Sequence, residues 1–202
     1  MAFAVKYRGE DRVCACFFGE GALNQGVVHE AFNMAALWKL PVIYIVENNL
    51  YAMGTSLARS SAVVDLTLRG AVPYGIPGAA INGNDIELMA QTTRDAVNRA
   101  RAGLGPTFIE AQTYRYKGHS ISDPGKYRRK DEVDSAIKND PIVVYQNILK
   151  QRGWIDQDAI ERMTESVKHE IDESIEFAEQ SPPLPLEAVY DDVTLAPYIP
   201  QE

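Results

Sequence analysis

The sequence predicts an α/β fold, a parallel sheet flanked by helices, with a helical carboxyl-terminal portion. Three observations predict it. Two strongly apolar runs, Arg12 to Phe18 and Pro41 to Glu47, enclose one helix-length segment, Asn24 to Lys39. A strand, a helix and a second strand joined by such a crossover place the strands parallel and form a right-handed βαβ unit. Further along, a helical stripe leads into another strand, and beyond Tyr127 the composition turns to charged helix.

The elements follow in order. Val13 to Phe18 is apolar on both faces, which suits a strand inside a sheet covered by helices. The next helix repeats Val27, Ala31, Met34, Ala35 and Trp38 at three- and four-residue spacing, so these are expected to face the core, and Leu40-Pro41 stops it. Leu50 to Gly78 is interrupted by Gly54, Gly70, Pro73, Gly75 and Pro77 and reads as surface-running connection. Ala79 to Ile81 is a short strand, Asn82-Gly83-Asn84 a turn and cap, and Ile86, Met89, Thr93, Ala96, Val97 and Ala100 a helical stripe. Thr107 to Thr113 returns as a strand and runs into a long polar loop, Tyr114 to Gly125.

Helices are expected at Asp131 to Lys138, at Pro141 to Arg152 with proline in the permitted first turn, and from near Asp156. The first two should cover the sheet. The last carries Ile160, Met163, Val167, Ile171 and Ile175 on one stripe, which needs something to pack on. Ser181 to Pro185 is Pro-rich, and Asp191 to Glu202 reads as an extended tail able to lie on a partner. These signals place an α/β core at 1–128, incomplete at its amino terminus, and the helical portion and tail at 129–202.

With 202 residues, 46% of them hydrophobic, the chain can bury a real core, and a net charge of −8 argues against non-specific binding to nucleic acid or anionic membranes. No stretch approaches the ~20 apolar residues of a membrane span, and residues 1–9 lack a secretory signal's apolar centre. A cytoplasmic protein is therefore expected, with no nucleic-acid or membrane partner. Cys14 and Cys16 lie two apart on one strand, face the same side and read as reduced core residues.

The chemistry gathers where strands end. Gly19-Glu20-Gly21 closes the first apolar run and Asn48-Asn49 the second, so Glu20 and Asn49 emerge at one carboxyl edge, where open α/β sheets bind ligands. Their side-chain oxygens, with the main-chain carbonyl of Tyr51, suit a hard cation such as Mg2+ holding a diphosphate. A helix start near Gly21 and Ala22 would add N–H groups for phosphate. No Gly-x-Gly-x-x-Gly or Walker lysine follows a strand, which disfavours a nucleotide-binding module.

Taken together, the stretches Phe17 to Ala22, Asn24-Gln25-Gly26, Glu30 to Pro41 and Glu47-Asn48-Asn49 resemble the thiamine-diphosphate-dependent 2-oxoacid dehydrogenase family. Within it, Tyr51 to Ser56 and Thr113 to Ser120 are similar to alpha subunits of the pyruvate dehydrogenase E1 component, and the resemblance runs to about Tyr190. It implies a thiamine-diphosphate-binding fold. It further implies oxidative decarboxylation of pyruvate, transfer of the acetyl group to the lipoyl domain of E2, and a heterotetramer with an E1 beta subunit that activates the aminopyrimidine. Carried over by position, Glu20, Asn49 and the Tyr51 carbonyl are the metal ligands, Gly21 and Ala22 lie beside the diphosphate, and His119 is the loop histidine nearest the reacting centre. Ser120 matches a phosphorylation site of regulated members.

The family turn has aspartate where this chain has Glu20, and family members carry a segment before the first strand that completes the pocket. The chain is therefore expected to begin inside that domain, to hold magnesium less well, and to need partners for turnover. Branched-chain 2-oxoacid and acetoin dehydrogenase alpha subunits, and a truncated non-catalytic remnant, are the competing readings. Met53 to Ser56 favours pyruvate. His29 and His169 are assigned packing or solvent roles, and Glu30 helical support or a subunit interface.

Overall fold

The computed structural model describes residues 1–191. The expected tail lies outside the described residues except for Asp191. The chain divides into two compact units, 1–148 and 149–202.

The first unit opens with a short helix, α1 (Ala2–Tyr7), whose Val5 is buried and whose Lys6 donates to the carbonyl of Trp38. Strand β1 (Cys14–Gly19) leads through a 3-10 turn (Glu20–Asn24) into α2 (Gly26–Leu37) and β2 (Val42–Asn48). A two-residue hairpin, β3 (Tyr51–Ala52) and β4 (Thr55–Ser56), precedes the short α3 (Leu57–Ser60). Strand β5 (Gly78–Asn82), helix α4 (Ile86–Arg101) and strand β6 (Thr107–Gln112) form a second strand-helix-strand unit. The sheet has order β1-β2-β6-β5 and is parallel throughout. Its register puts Asn48, Gln112 and Asn82 in one row at the carboxyl edge, with Gly19 beside Glu47.

Parallel strands covered on both faces need apolar residues at consecutive positions. Val42 to Val46 are accordingly all buried. On one face Val42, Tyr44, Val46 and Phe108 pack with Leu23, Phe32 and Ala35; on the other Ile43, Ile45 and Ile109 pack with Ala96 of α4. Phe32 is the centre of the first layer. Its ring centroid lies 4.6 Å from Tyr44 and 5.9 Å from both Tyr74 and Phe108, in edge-on arrangements that aromatic quadrupoles favour.

Several expectations are corrected. Strand β1 is at the sheet edge, with Ala15, Cys16 and Phe17 exposed, because among the described residues nothing pairs with its outer side. Cys14 and Cys16 are free thiols, and Cys16 is not a core residue. Helix α2 turns Phe32 and Ala35 inward, with Val28 and Ala36 partly buried beside them, whereas Val27, Ala31, Met34 and Trp38 face outward. The helix is apolar on two sides: the one with Phe32 and Ala35 packs on the sheet, while Trp38, just past its end, packs against Phe3 of α1.

Residues 50–78 are not merely surface connection either. Leu57, Leu66, Ala71 and Ile76 are buried in the core under β2 and β6, although glycines and prolines break their spacing. Asp85, rather than the Asn82-Gly83-Asn84 turn, caps α4 by accepting from the Leu88 amide at 2.9 Å. Gly21 and Ala22 sit in a 3-10 turn, and α2 begins only at Gly26.

Helices α5 (Lys130–Ile137) and α6 (Pro141–Gln151) follow the polar loop. Glu132 ties α5 to the carboxyl edge of the sheet rather than to a sheet face, accepting from the hydroxyls of Tyr51 and Tyr114. In the second unit α7 (Gln157–Gln180) is capped by Asp156, whose carboxylate accepts from Ala159 N at 2.7 Å. Ile160 is buried, and Met163, Val167, Ile171 and Ile175 are exposed among the described residues. No helix among the described residues is long and apolar enough to cross a membrane.

Replacing Phe32 by alanine should destabilise the first unit by about 3–5 kcal/mol, since it empties the middle of an aromatic cluster that cannot collapse around the gap. Chemical denaturation of the wild type and Phe32→Ala checks this. A loss below ~1 kcal/mol would mean that the cluster is not the core's centre.

Candidate cation and diphosphate site

Parallel register brings the turn after β1 against the turn after β2. Glu20 is only 1% exposed, and its Oε2 accepts from the backbone N–H of Asn49 at 3.2 Å and more weakly from Asn49 Nδ2 at 3.5 Å. The other carboxylate oxygen of Glu20, Oε1, and the amide oxygen of Asn49, Oδ1, are buried with no hydrogen-bond partner. A buried acceptor left without a donor costs roughly 1–3 kcal/mol, and a carboxylate more. Two such oxygens on adjacent turns fit a hard divalent cation, which takes oxygen ligands of this kind.

The backbone beside them is held in an unusual path. Asn48 Oδ1 accepts from Leu50 N at 3.1 Å, and Leu50 takes a left-handed φ of 71°. The chain then enters the β3–β4 hairpin, which packs directly on the turn after β1. A Cβ on Gly21 would lie 2.6 Å from the Cβ of Ala52, so glycine at this position is what lets the hairpin seat. The Tyr51 carbonyl accepts from Arg115 Nη1 at 3.1 Å, which leaves its second lone pair for another partner.

Arg115 organises the polar loop. Its Nη2 also donates to the Met53 carbonyl at 2.6 Å and to Tyr127 Oη at 2.9 Å. Tyr127 in turn donates to Asp123 Oδ2 at 2.7 Å, and the same oxygen accepts from the His119 amide at 2.7 Å. Gly125 N completes the cage at 2.8 Å from Oδ1. A Cβ on Gly118 would fall 2.2 Å from the Asp123 carbonyl, so the loop closes only over glycine. The amide of His119, then the Tyr127 hydroxyl and the Gly125 amide, hold the Asp123 carboxyl down at about 2. Arg128 stacks its guanidinium 5.5 Å from the Tyr127 ring centroid and 5.6 Å from that of Tyr114. Burial, then the Glu132 carboxylate, pushes the Tyr114 hydroxyl up to about 12.

The structure thus brings Glu20, Gly21, Asn49 and Tyr51 together, with Ala22 in the same 3-10 turn. His119 is exposed, and no hydrogen bond among the described residues joins it to Glu20, Asn49 or Tyr51; the connection runs through Asp123, Tyr127 and Arg115. A cavity of about 420 Å³ beside the site is lined by Asn49, Glu47, Gly83, Tyr114 and Arg115. A larger one of about 710 Å³, bordered by Asn48, Leu50 and Gln112, does not include Glu20 or Asn49.

Ser120 and Ser122 are exposed, their hydroxyls 3.0 Å apart. His29 bridges the Tyr74 hydroxyl at 3.0 Å and the Leu23 carbonyl at 3.1 Å, a packing role, and the exposed His169 lies 3.2 Å from Glu173. Sequence reasoning missed Arg115, Asp123, Tyr127, Arg128 and Glu132. An arginine inside Tyr114-Arg115-Tyr116 and an aspartate before Pro124-Gly125 were the available signals.

A family model described as the dehydrogenase E1 component matches residues 1–187. The chain is 47% identical over 196 residues to the pyruvate dehydrogenase E1 component subunit alpha of Rhizobium meliloti (strain 1021), covering 96% of this chain and 56% of that protein. It is 46% identical over 182 residues to the protein of the same name from Rickettsia bellii (strain RML369-C), covering 90% and 56%. The testis-specific, mitochondrial form of that subunit from Homo sapiens is 44% identical over 184 residues, covering 90% and 47%. The chain therefore spans about half the length of these relatives.

Asp123 supplies a pH test of the loop. Its folded value of about 2 lies below the ordinary 3.8, so its contribution is fully present above 3.8 and is lost as pH falls through about 2. A carboxyl carbon titration by NMR should give that midpoint, with the His119 and Gly125 amide shifts following it. A midpoint near 3.8 with still amides would show that the cage does not form.

Proposed function

Because the chain belongs to the dehydrogenase E1 component family, we propose that it supplies the metal and diphosphate half of a thiamine diphosphate site in a pyruvate dehydrogenase E1 alpha subunit. The observation that carries the reading is the pair of buried, unpartnered oxygens on Glu20 and Asn49, facing a shared edge of a parallel sheet.

In this reading Glu20 and Asn49 hold Mg2+ with their side-chain oxygens, the Tyr51 carbonyl adds a third, and Gly21 and Ala22 flank the diphosphate. Thiamine diphosphate, when bound, supplies the electron sink that decarboxylation of a 2-oxoacid needs. The chain's own work is orientation. Glu20 fixes Asn49 through its backbone amide, and Gly21 lets the hairpin carrying Tyr51 pack on the turn. Arg115 holds the carbonyls of Tyr51 and Met53 and, through Tyr127 and Asp123, the backbone of His119. The imidazole of His119 can take and return a proton at one ring nitrogen. Pyruvate as substrate, an E1 beta subunit that completes the pocket and the lipoyl domain of E2 as acetyl acceptor complete the proposal. The names of the relatives favour it over branched-chain 2-oxoacid or acetoin dehydrogenases.

Two measurements test it, both on the chain assembled with a beta subunit. Magnesium titrated in the presence of thiamine diphosphate should bind more tightly to Glu20→Asp than to wild type, and at least tenfold more weakly to Glu20→Ala, since magnesium tolerates little departure from ~2.1 Å. Equal affinity in all three proteins would remove Glu20 from the site. His119→Ala should lower pyruvate-dependent turnover by about 100-fold while the thermal midpoint stays within about 1 °C, as expected for an exposed residue acting on a proton. A large loss of stability with normal turnover would assign His119 to structure instead.

A further inference from the structure

Glu110 is a carboxylate in the interior of the sheet. It lies on β6, between β2 and β5, opposite Val46 on one side and Ala80 on the other, and it is 3% exposed. An ion buried in such a place costs several kcal/mol unless its oxygens are well bonded. No cation is paired with it among the described residues. Its hydrogen-bond partners are carboxamides: Asn48 Nδ2 donates to Oε1 at 2.7 Å, and Gln112 Nε2 lies farther off at 3.4 Å.

The short bond has a directional consequence. A carboxamide has one donor side and one acceptor side. With Nδ2 of Asn48 drawn to Glu110, Oδ1 must face the other way, and there it accepts from Leu50 N. That contact closes the turn in which Leu50 takes its left-handed φ, and the turn carries Asn49 on one side and the Tyr51 carbonyl on the other. Without the carboxylate, the Leu50 N–H alone would hold the Asn48 amide in this orientation, and a half turn of the amide would set its NH2 group against that N–H.

We infer that Glu110 is a positioning residue for the cation site, acting through Asn48 to fix the turn that presents Asn49 and Tyr51. The inference rests on the function proposed above. Glu110 touches neither the cation nor the diphosphate in this scheme, and its effect passes through one side chain and one backbone bond.

The test separates positioning from packing. Glu110→Met conserves volume, removes the buried charge and removes the acceptor, so stability should hold or rise. Amide hydrogen exchange at Leu50, measured on the chain, should nevertheless accelerate about tenfold relative to Ile45 and Ile109, the loss expected for one hydrogen bond. Mn2+, bound with thiamine diphosphate to the chain in complex with a beta subunit and followed by electron paramagnetic resonance, should weaken by a similar factor. Glu110→Gln keeps an acceptor and should remain within about threefold of wild type in both readouts.

A swap guards against a methionine variant that does not fold. Asn48→Asp keeps an oxygen for Leu50 but sets two carboxylates together, and should lose Mn2+ affinity. Adding Glu110→Gln restores one donor and one acceptor and should recover it, a coupling that a double-mutant cycle reads directly. If wild type binds Mn2+ and Glu110→Met binds it equally, with the Leu50 amide unchanged, this inference falls and the proposed function stands. Absence of recovery in the swap has the same meaning. If wild type itself binds no Mn2+, both fall.

Discussion

The site depends on a carboxylate with one satisfied oxygen and one free one. Glu20 Oε2 accepts from the backbone of Asn49, and through that bond the turn after β1 fixes the turn after β2. Oε1 is left buried without a donor. Desolvated oxygens of this kind are a local loss to the fold, tolerated where a ligand recovers it. The parallel sheet makes the arrangement possible, because only strands running the same way deliver Glu20 and Asn49 to the same edge.

Around that pair, distance from Glu20 and Asn49 is matched by a change in the kind of bond. Next to it are short turns whose geometry is set by the absence of a side chain at Gly21 and by a left-handed backbone at Leu50. Farther out the hairpin and the polar loop are joined by charge-assisted bonds of Arg115 to two carbonyls, and by Asp123 accepting two amides and a hydroxyl. Charged groups bonded to neutral dipoles hold loops firmly without burying ion pairs, whose desolvation would cost more. Tyr51 joins both systems, its carbonyl on Arg115 and its hydroxyl on Glu132 of α5. Displacement of α5 would therefore reach the hairpin through one side chain.

The sequence made the strands and their direction legible because Val42 to Val46 and Phe108-Ile109 are buried on both faces, a pattern only a covered parallel sheet requires. Glu20 and Asn49 were legible for the same reason, as polar residues ending apolar runs. The inner face of α2 was not. Val27, Met34 and Trp38 keep helical spacing as well as Phe32 and Ala35 do, and periodicity cannot rank two apolar stripes on one helix. Leu57, Leu66 and Ile76 were missed because isolated apolar residues among glycines carry no period at all. Arg115 acts through bonds to the distant carbonyls of Tyr51 and Met53, partners that local sequence does not name, whereas the Asp123 bonds stay within its own loop and were signalled only by the aspartate before Pro124-Gly125.

A strand apolar on both faces predicts a sheet interior, yet β1 lies at the edge with Phe17 61% exposed. Phe17 also borders the cavity that Asn49 and Arg115 line. The uncovered surface of β1 is thus continuous with the candidate site rather than remote from it. Whatever covers Phe17 would also wall that cavity, lower its dielectric and strengthen the attraction between a cation and the Glu20 carboxylate. In this chain, completing the sheet's apolar cover and completing the polar site are one physical requirement.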